Sequence, residues 1–286
     1  MFLNLDKYHL DAHIKSSIDK LTGGQQEMTL SRLWSLMDEA WSRHGCSNKT
    51  YDPARYAAFY SDPVWTINGI YTEEDPLSQR IRTDIVNQVR GFEPDRVLDW
   101  GGGIGTIARM IAQQLPSCKI HILEPYPSQL GILMCSSYKQ VHYVPYLSSA
   151  TYDYIVCTDV LEHIIDPIQT IDEIISSLDL GGYVLFANCF HPVIKCHLPS
   201  TFYLRYGFRT ICRSKGLCFL RYNPSSYSEV FQKTCKAYPQ RLQDLIILTY
   251  RLAYPVIAGI HDFWLSLKSI LKSLLNRPAR PLNRVR

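Results

Sequence analysis

The sequence predicts an α/β protein: a mostly parallel sheet of seven strands with helices on both faces, closed by an antiparallel hairpin, and carrying a helical N-terminal cap and a C-terminal helical extension. Three observations predict it. From about residue 78 onward, apolar runs of strand length alternate with amphipathic helical stretches. One predicted strand runs straight into a glycine-rich turn, VLDWGGGIGT, at residues 97–106. Near the end of this region two strand-like runs flank Asn223-Pro224-Ser225-Ser226, the pattern of a hairpin.

Residues 1–77 form the expected cap. Leu30, Leu33, Trp34, Met37 and Trp41 recur at three- and four-residue steps, which is one apolar helix face. Residues 51–77 are crowded with aromatic rings and broken by Pro53, Pro63 and Pro76. Such a segment is too apolar for a free linker and too interrupted for a long helix, so it is expected to lie over something, as a lid.

The central segment, 78–235, contains helices expected at 78–89, 104–115, 166–178 and 202–213. Strands are expected at 96–100, 119–123, 141–144, 154–158 and 183–187, with the closing pair at 216–222 and 227–232. Apolar strands separated by helices imply a parallel sheet covered on both sides. Residues 236–286 make the extension.

Composition narrows the function. The 286 residues carry a formal charge of +4. Residues 251–286 hold seven basic residues against one acid, so the tail is at +6 and the rest at −2. A near-neutral body offers no nucleic-acid groove, and no nucleic-acid partner is expected. Nine cysteines without a C-x-x-C pair argue against a disulfide framework or a zinc knuckle. The N-terminus shows neither the basic nor the apolar segment of a signal peptide, so a cytoplasmic protein is expected.

Glycines between a strand and a helix N-terminus let the backbone approach a ligand closely. The turn lacks the Gly-Lys-Ser/Thr ending of a phosphate-binding loop, and a dinucleotide fingerprint fails at Thr106, where a third glycine is needed. What remains is Asp-x-Gly-x-Gly-x-Gly: Asp99, Gly101, Gly103 and Gly105. Glu124 follows 23 residues after Gly101, at a strand end, where a carboxylate can accept hydrogen bonds from ribose hydroxyls.

This arrangement resembles motif I of the class I S-adenosylmethionine-dependent methyltransferases of small-molecule type. YDYIVCTDVLEHIIDP (152–167) resembles the family's fourth-strand motif, and DLGGYVLFAN (179–188) its glycine turn and fifth strand. The resemblance implies a Rossmann-like fold with S-adenosyl-L-methionine as cofactor, held by Asp99, Gly101, Gly103, Gly105, Glu124, Thr158 and Asp159. Ser148 or Ser149, in PYLSSA, stands where relatives commonly place a residue near the adenine ring.

Methyl transfer from a sulfonium is an in-line displacement that asks the protein to align the partners and, for some acceptors, remove a proton. His163, His191 and His197 are the candidate bases. Tyr56, Tyr60, Trp65 and Tyr203 are candidate walls for an organic acceptor. Asp159, Glu162 and His163 also loosely resemble a metal-binding Glu-x-x-Glu-His pattern of a minority of methyltransferases, which His191 would complete. A structural or orienting role is preferred for them, and no metal is expected.

Beyond Pro255, residues 256, 260, 263, 264, 267, 270, 271 and 274 are apolar at helical steps, yet no run reaches the ~18 apolar residues of a membrane span. The segment 242–286 therefore packs on its own domain or a second copy, or rests peripherally on a membrane. The expected activity is methyl transfer to O or N of a small or medium organic molecule, possibly in secondary metabolism, with a lipid or isoprenoid-quinone acceptor as the membrane variant. An aminopropyltransferase would need paired acids where only Asp159 stands before Val160-Leu161. A non-catalytic binding protein on the same fold is the remaining alternative.

Overall fold

The computed structural model of the chain describes residues 2–147, 151–234 and 236–275. Five helices precede the first strand: α1 (Ala12–Thr22), α2 (Leu30–Arg43), α3 (Pro53–Tyr60), α4 (Pro63–Glu74) and α5 (Pro76–Arg90). The prolines expected to interrupt residues 51–77 instead begin helices. Pro53, Pro63 and Pro76 each occupy the first helical turn, and the preceding Asp52, Asp62 and Asp75 accept hydrogen bonds from backbone N–H groups of that turn. A proline there loses no hydrogen bond, because that N–H has no intrahelical acceptor, and its fixed φ suits the helix. Asp166 and Pro167 repeat the device at the helix Pro167–Ser177. The boundary drawn at residue 77 falls in the first turn of α5.

The sheet comprises β1 (Arg96–Trp100), β2 (Lys119–Leu123), β3 (Val141–Val144), β4 (Tyr152–Thr158), β5 (Leu178–Ala187), β6 (Leu217–Asn223) and β7 (Ser228–Lys233). Their order is β3-β2-β1-β4-β5-β7-β6, with β7 antiparallel to its two neighbours and the other pairings parallel. This is the seven-stranded, mostly parallel sheet that the sequence predicts. β5 begins five residues before the expected 183, and a shift of register opposite Tyr152 and Tyr154 takes in Gly181 and Gly182. The glycine pair thus lies within the strand rather than in a turn before it.

Helices α6 (Thr106–Gln114), α7 (Gln129–Cys135), α8 (Pro167–Ser177) and α9 (Leu204–Ser214) connect the strands. One apolar core joins β1, β2 and β4 to α5 and α6 through Val97, Ile120 and Tyr154. A second lies on the opposite face around Ile155, Phe186 and Phe208. A third fills the N-terminal helices around Leu36, Phe59 and Ile70 and takes in Ile104 of the glycine loop. The eight described cysteines are unpaired.

The extension is one helix, α10 (Gln240–Leu275), which runs through Pro255. Its first half docks on α9: a Cβ on Gly207 would come within 2.6 Å of the Tyr250 ring, so this closeness requires glycine. Ile247 is buried in the second core. Buried Lys215 closes the junction, donating to Asp172 at 2.6 Å and to Gln243 at 3.4 Å. No helix among the described residues is long and apolar enough to cross a membrane.

A buried ion pair fastens the N-terminal helices to the sheet. The Arg109 guanidinium, on α6, pairs with Glu73 of α4 and donates to the Ile104 carbonyl at 2.7 Å, while the Thr106 hydroxyl donates to the same Glu73 carboxylate. Removing one member leaves the other charge buried and unpaired, which costs about 3–5 kcal/mol. Arg109→Met is expected to lower unfolding stability by that amount in urea, and Arg109→Met/Glu73→Met to recover at least half of the loss.

Candidate active site

The strand order reverses between β1 and β4, so their carboxyl ends splay their connections apart and open a crevice. The glycine loop forms its floor. The Gly101 N–H donates to the Leu123 carbonyl at 2.8 Å, tying the end of β1 to β2, and Gly105 is the residue from which α6 begins. Gly102 lies so close to Asp99 that a Cβ would meet its Oδ2 at 2.5 Å. Gly103 differs. Its φ of +55° favours glycine, but a Cβ there would meet nothing within 4 Å. Packing fills the space at Gly102, whereas Gly103 faces open space.

Two carboxylates flank the loop, Asp99 enclosed beneath Gly102 and Glu124 beside Gly103. Asp99, the penultimate residue of β1, is 1% exposed; neither oxygen accepts a well-formed hydrogen bond among the described residues, and the Ala108 N–H only partly favours its charged form. Burial pushes its pKa up to about 7, and the charge of Glu124 adds to the effect. Glu124, at the end of β2, accepts from the Gly103 N–H and the Tyr126 N–H, each at 3.1 Å. Burial raises its pKa against those two hydrogen bonds.

Thr158 ends β4 beside Ala187 of β5. Asp159 then takes a left-handed φ of 54° and donates its N–H to the Ala187 carbonyl at 2.7 Å. Its carboxylate accepts from the Tyr227 hydroxyl at 3.4 Å and lies 4.0 Å from the Arg82 guanidinium. Asp159 is therefore held by α5 and by the hairpin. Ser148 lies outside the described residues.

Residues 161–163 make a single 3₁₀ turn. Glu162 is fully buried; its Oε1 accepts from the Cys189 N–H at 2.7 Å and its Oε2 has no partner among the described residues. Burial, with the nearby charge of Asp159, pushes its pKa up to about 8. His163 has Nδ1 3.1 Å from the Cys196 carbonyl, and burial with His197 beside it pulls its pKa down to about 3. The His197 ring lies 4.9 Å away at 82°, with Nδ1 2.7 Å from the His191 carbonyl. His191 thus contributes backbone to this cluster.

Tyr60 and Trp65 stand edge-on to His163 at 6.4 and 6.3 Å. Tyr60 also stacks on Tyr126 at 6.1 Å, beside Glu124, and so links the glycine-loop crevice to the histidines. The Tyr60 hydroxyl and the Trp65 Nε1 are buried without partners among the described residues. Two of the expected wall residues are placed elsewhere. The Tyr56 hydroxyl donates to the Ser47 carbonyl at 3.1 Å and its ring packs on Trp41, within the N-terminal core. Tyr203 is 3% exposed and its ring lies against the Arg251 guanidinium of α10 at 5.1 Å. Both rings satisfy packing before they reach the histidines.

Sequence reasoning missed Tyr126 and Asn188. Asn188 Oδ1 accepts from the Val160 and Leu161 N–H groups at 3.1 and 2.8 Å and so shapes the turn that carries Glu162. An amide side chain directly after an apolar strand was the signal available for it.

Residues 73–252 match a family model described as a methyltransferase domain. An O-methyltransferase family protein from Burkholderia thailandensis superposes with a TM-score of 0.53 at 14% identity, over 77% of each chain. Human N-acetylserotonin methyltransferase, solved in complex with SAM, superposes with a TM-score of 0.51 at 15% identity, over 77% of this chain and 70% of its own. At such identities the likeness is one of fold. No curated protein matches the sequence.

The buried acids set the pH dependence of the ligand-free chain. Asp99, ordinarily at 3.8, is held protonated up to about 7, so its contribution is complete below 3.8 and is lost as the pH rises through 7. Glu162 acts in the same sense through about 8. His163, lowered from 6.5, opposes them: its contribution is present above 6.5 and is lost as the pH falls toward 3. Urea unfolding between pH 4 and pH 8 is expected to show the stability of the wild type, relative to Asp99→Asn, falling from pH 4 to about 7 and levelling off above it. Parallel profiles would contradict the assignment.

Proposed function

Since the chain belongs to the methyltransferase domain family, we propose that it transfers the methyl group of S-adenosylmethionine to an oxygen or nitrogen of a small or medium organic acceptor bound beside Tyr60, Trp65 and the two clustered histidines. One observation carries this reading. At the carboxyl ends of β1 and β2, the glycine loop turns Gly103 to open space with its N–H on Glu124, while Asp99 lies buried beneath Gly102.

These residues fit the cofactor. Glu124, now turned onto backbone N–H groups, has the chemistry to accept from the two ribose hydroxyls. The open space at Gly103 is available to the aminocarboxypropyl chain, with Asp99 enclosed beneath the neighbouring Gly102. When bound, S-adenosylmethionine supplies a methyl group already activated by its sulfonium.

The chain's own task is then alignment, exclusion of water and proton handling. With each Nδ1–H donated to a carbonyl, His163 and His197 present Nε2 as acceptors for an acceptor's O–H or N–H. The low pKa of His163 makes it a weak base that orients the acceptor, leaving His197 as the stronger candidate for the proton. Tyr60 and Trp65 offer an O–H and an N–H donor whose capacity is unused.

A second reading concerns the place of action. Leu245, Leu248, Leu252, Val256, Ile260 and Phe263 are exposed along α10 at steps of three and four, beside exposed Trp264. The sequence from 251 onward is basic. An exposed apolar stripe with neighbouring cations suits an anionic lipid surface and favours a lipid-like acceptor.

Calorimetric titration with S-adenosylmethionine and S-adenosylhomocysteine tests the first reading. Micromolar binding is expected, lost in Gly103→Arg and weakened at least tenfold in Glu124→Ala; no binding by the folded wild-type chain would overturn it. Sedimentation with vesicles containing phosphatidylserine tests the second. Wild-type protein is expected to co-sediment, less so in high salt and much less as Phe263→Asp/Trp264→Asp, whereas indifference to vesicles would remove this reading.

A further inference from the structure

We propose that Glu162, His163 and His197 form a site for one divalent transition-metal ion of the zinc and cobalt class. The carboxylate oxygen of Glu162 and one ring nitrogen from each histidine lie within 4.8 Å of one another. Around a tetrahedral ion with bonds of ~2.1 Å, ligand atoms stand about 3.4 Å apart, so the three side chains need to draw together by up to about 1.4 Å.

Each ligand is already set for this purpose by a partner behind it. His163 and His197 lie with Nδ1 against the carbonyls of Cys196 and His191, which fixes the tautomer that leaves the Nε2 lone pair available. The Cys189 N–H holds one oxygen of Glu162, and the other is buried with no hydrogen-bond partner. No Lys or Arg among the described residues forms an ion pair with this carboxylate. A fully buried carboxyl oxygen with neither donor nor counter-charge is costly, and a cation removes the cost.

The backbone joins the ligands into one unit. The Leu198 N–H donates to the Glu162 carbonyl at 2.8 Å, and Asn188 pins the two residues that precede Glu162. The 3₁₀ turn and the connection after β5 are therefore stitched together at several points, and the 33 residues between His163 and His197 do not loosen the cluster.

Two imidazoles and one carboxylate select zinc, cobalt, iron or nickel over magnesium or calcium, which prefer all-oxygen sites. Three protein ligands leave a fourth position open. This part of the inference rests on the methyl-transfer reading: the open position would take an oxygen of the acceptor, and with both Nε2 atoms on the ion, its lowering of the pKa of a hydroxyl there would replace proton uptake by His197. Binding of the ion itself does not depend on that reading.

The test is a Co²⁺ titration of the full-length, tag-free chain after chelator treatment, followed by visible absorption, with S-adenosylhomocysteine calorimetry on the same preparation. One Co²⁺ per chain is expected, with micromolar or tighter affinity, the intense bands of low coordination number, and displacement by Zn²⁺. Glu162→Gln and His197→Ala are each expected to weaken uptake at least tenfold while keeping the wild-type far-ultraviolet circular dichroism. A wild-type chain that binds S-adenosylhomocysteine but takes up no stoichiometric Co²⁺ overturns the site and leaves methyl transfer standing. Uptake that is equal in wild type and both folded variants also overturns it. A chain that binds Co²⁺ in this manner but no S-adenosylhomocysteine supports the site and removes the cofactor reading. The wild-type titration decides the matter even where a variant fails to fold.

Discussion

The burial of carboxyl groups where the central parallel strands end is the constraint on which the rest of this structure depends. Asp99 and Glu162 are both enclosed and each keeps oxygen atoms without a well-formed hydrogen bond. Groups of this kind are held in place only when the surroundings leave them no route to water. Gly102 closes over Asp99 because a Cβ would collide with its carboxylate, and Asn188 with the Cys189 N–H fixes the turn that buries Glu162. The same enclosure makes both acids reluctant to ionise, so they sit as proton donors or as claims on a cation.

The N-terminal helices belong to this arrangement and are not an ornament on the sheet. Ile104, in the glycine loop, packs into their core, and Arg109 and Thr106 of α6 meet Glu73 of α4. That anchorage brings α3 and α4 across the carboxyl edge and sets Tyr60 between Tyr126 and His163. Crevice and histidine cluster thereby share a wall. Substrate enclosure and fold stability are coupled through a few residues of α4 and α6.

Much of the fold was legible because its signals are local. A strand, a glycine turn and a helix follow one another within 97–115, and period-two and helical patterns mark the later elements. The prolines of residues 51–77 misled because each was weighed alone; read with the aspartate before it, each marks a helix start. At the site, the glycine loop and Glu124 could be read from their spacing. The meeting of Glu162 and His163 with His197 could not, since it depends on how the connection after β5 folds back through contacts remote in sequence. Tyr56 and Tyr203 show the converse: residues of the right chemistry whose rings packing claims first.

The central claim is that the crevice at the ends of β1, β2 and β4 holds the cofactor and opens toward Tyr60, Trp65 and the histidines. A crystal structure with S-adenosylhomocysteine tests it most directly. The account predicts the ribose hydroxyls on Glu124, the aminocarboxypropyl chain against Gly101 and Gly103, and the sulfur directed at the His163 and His197 side of the crevice. A ligand bound elsewhere, with Glu124 still turned onto the Gly103 N–H, would contradict it.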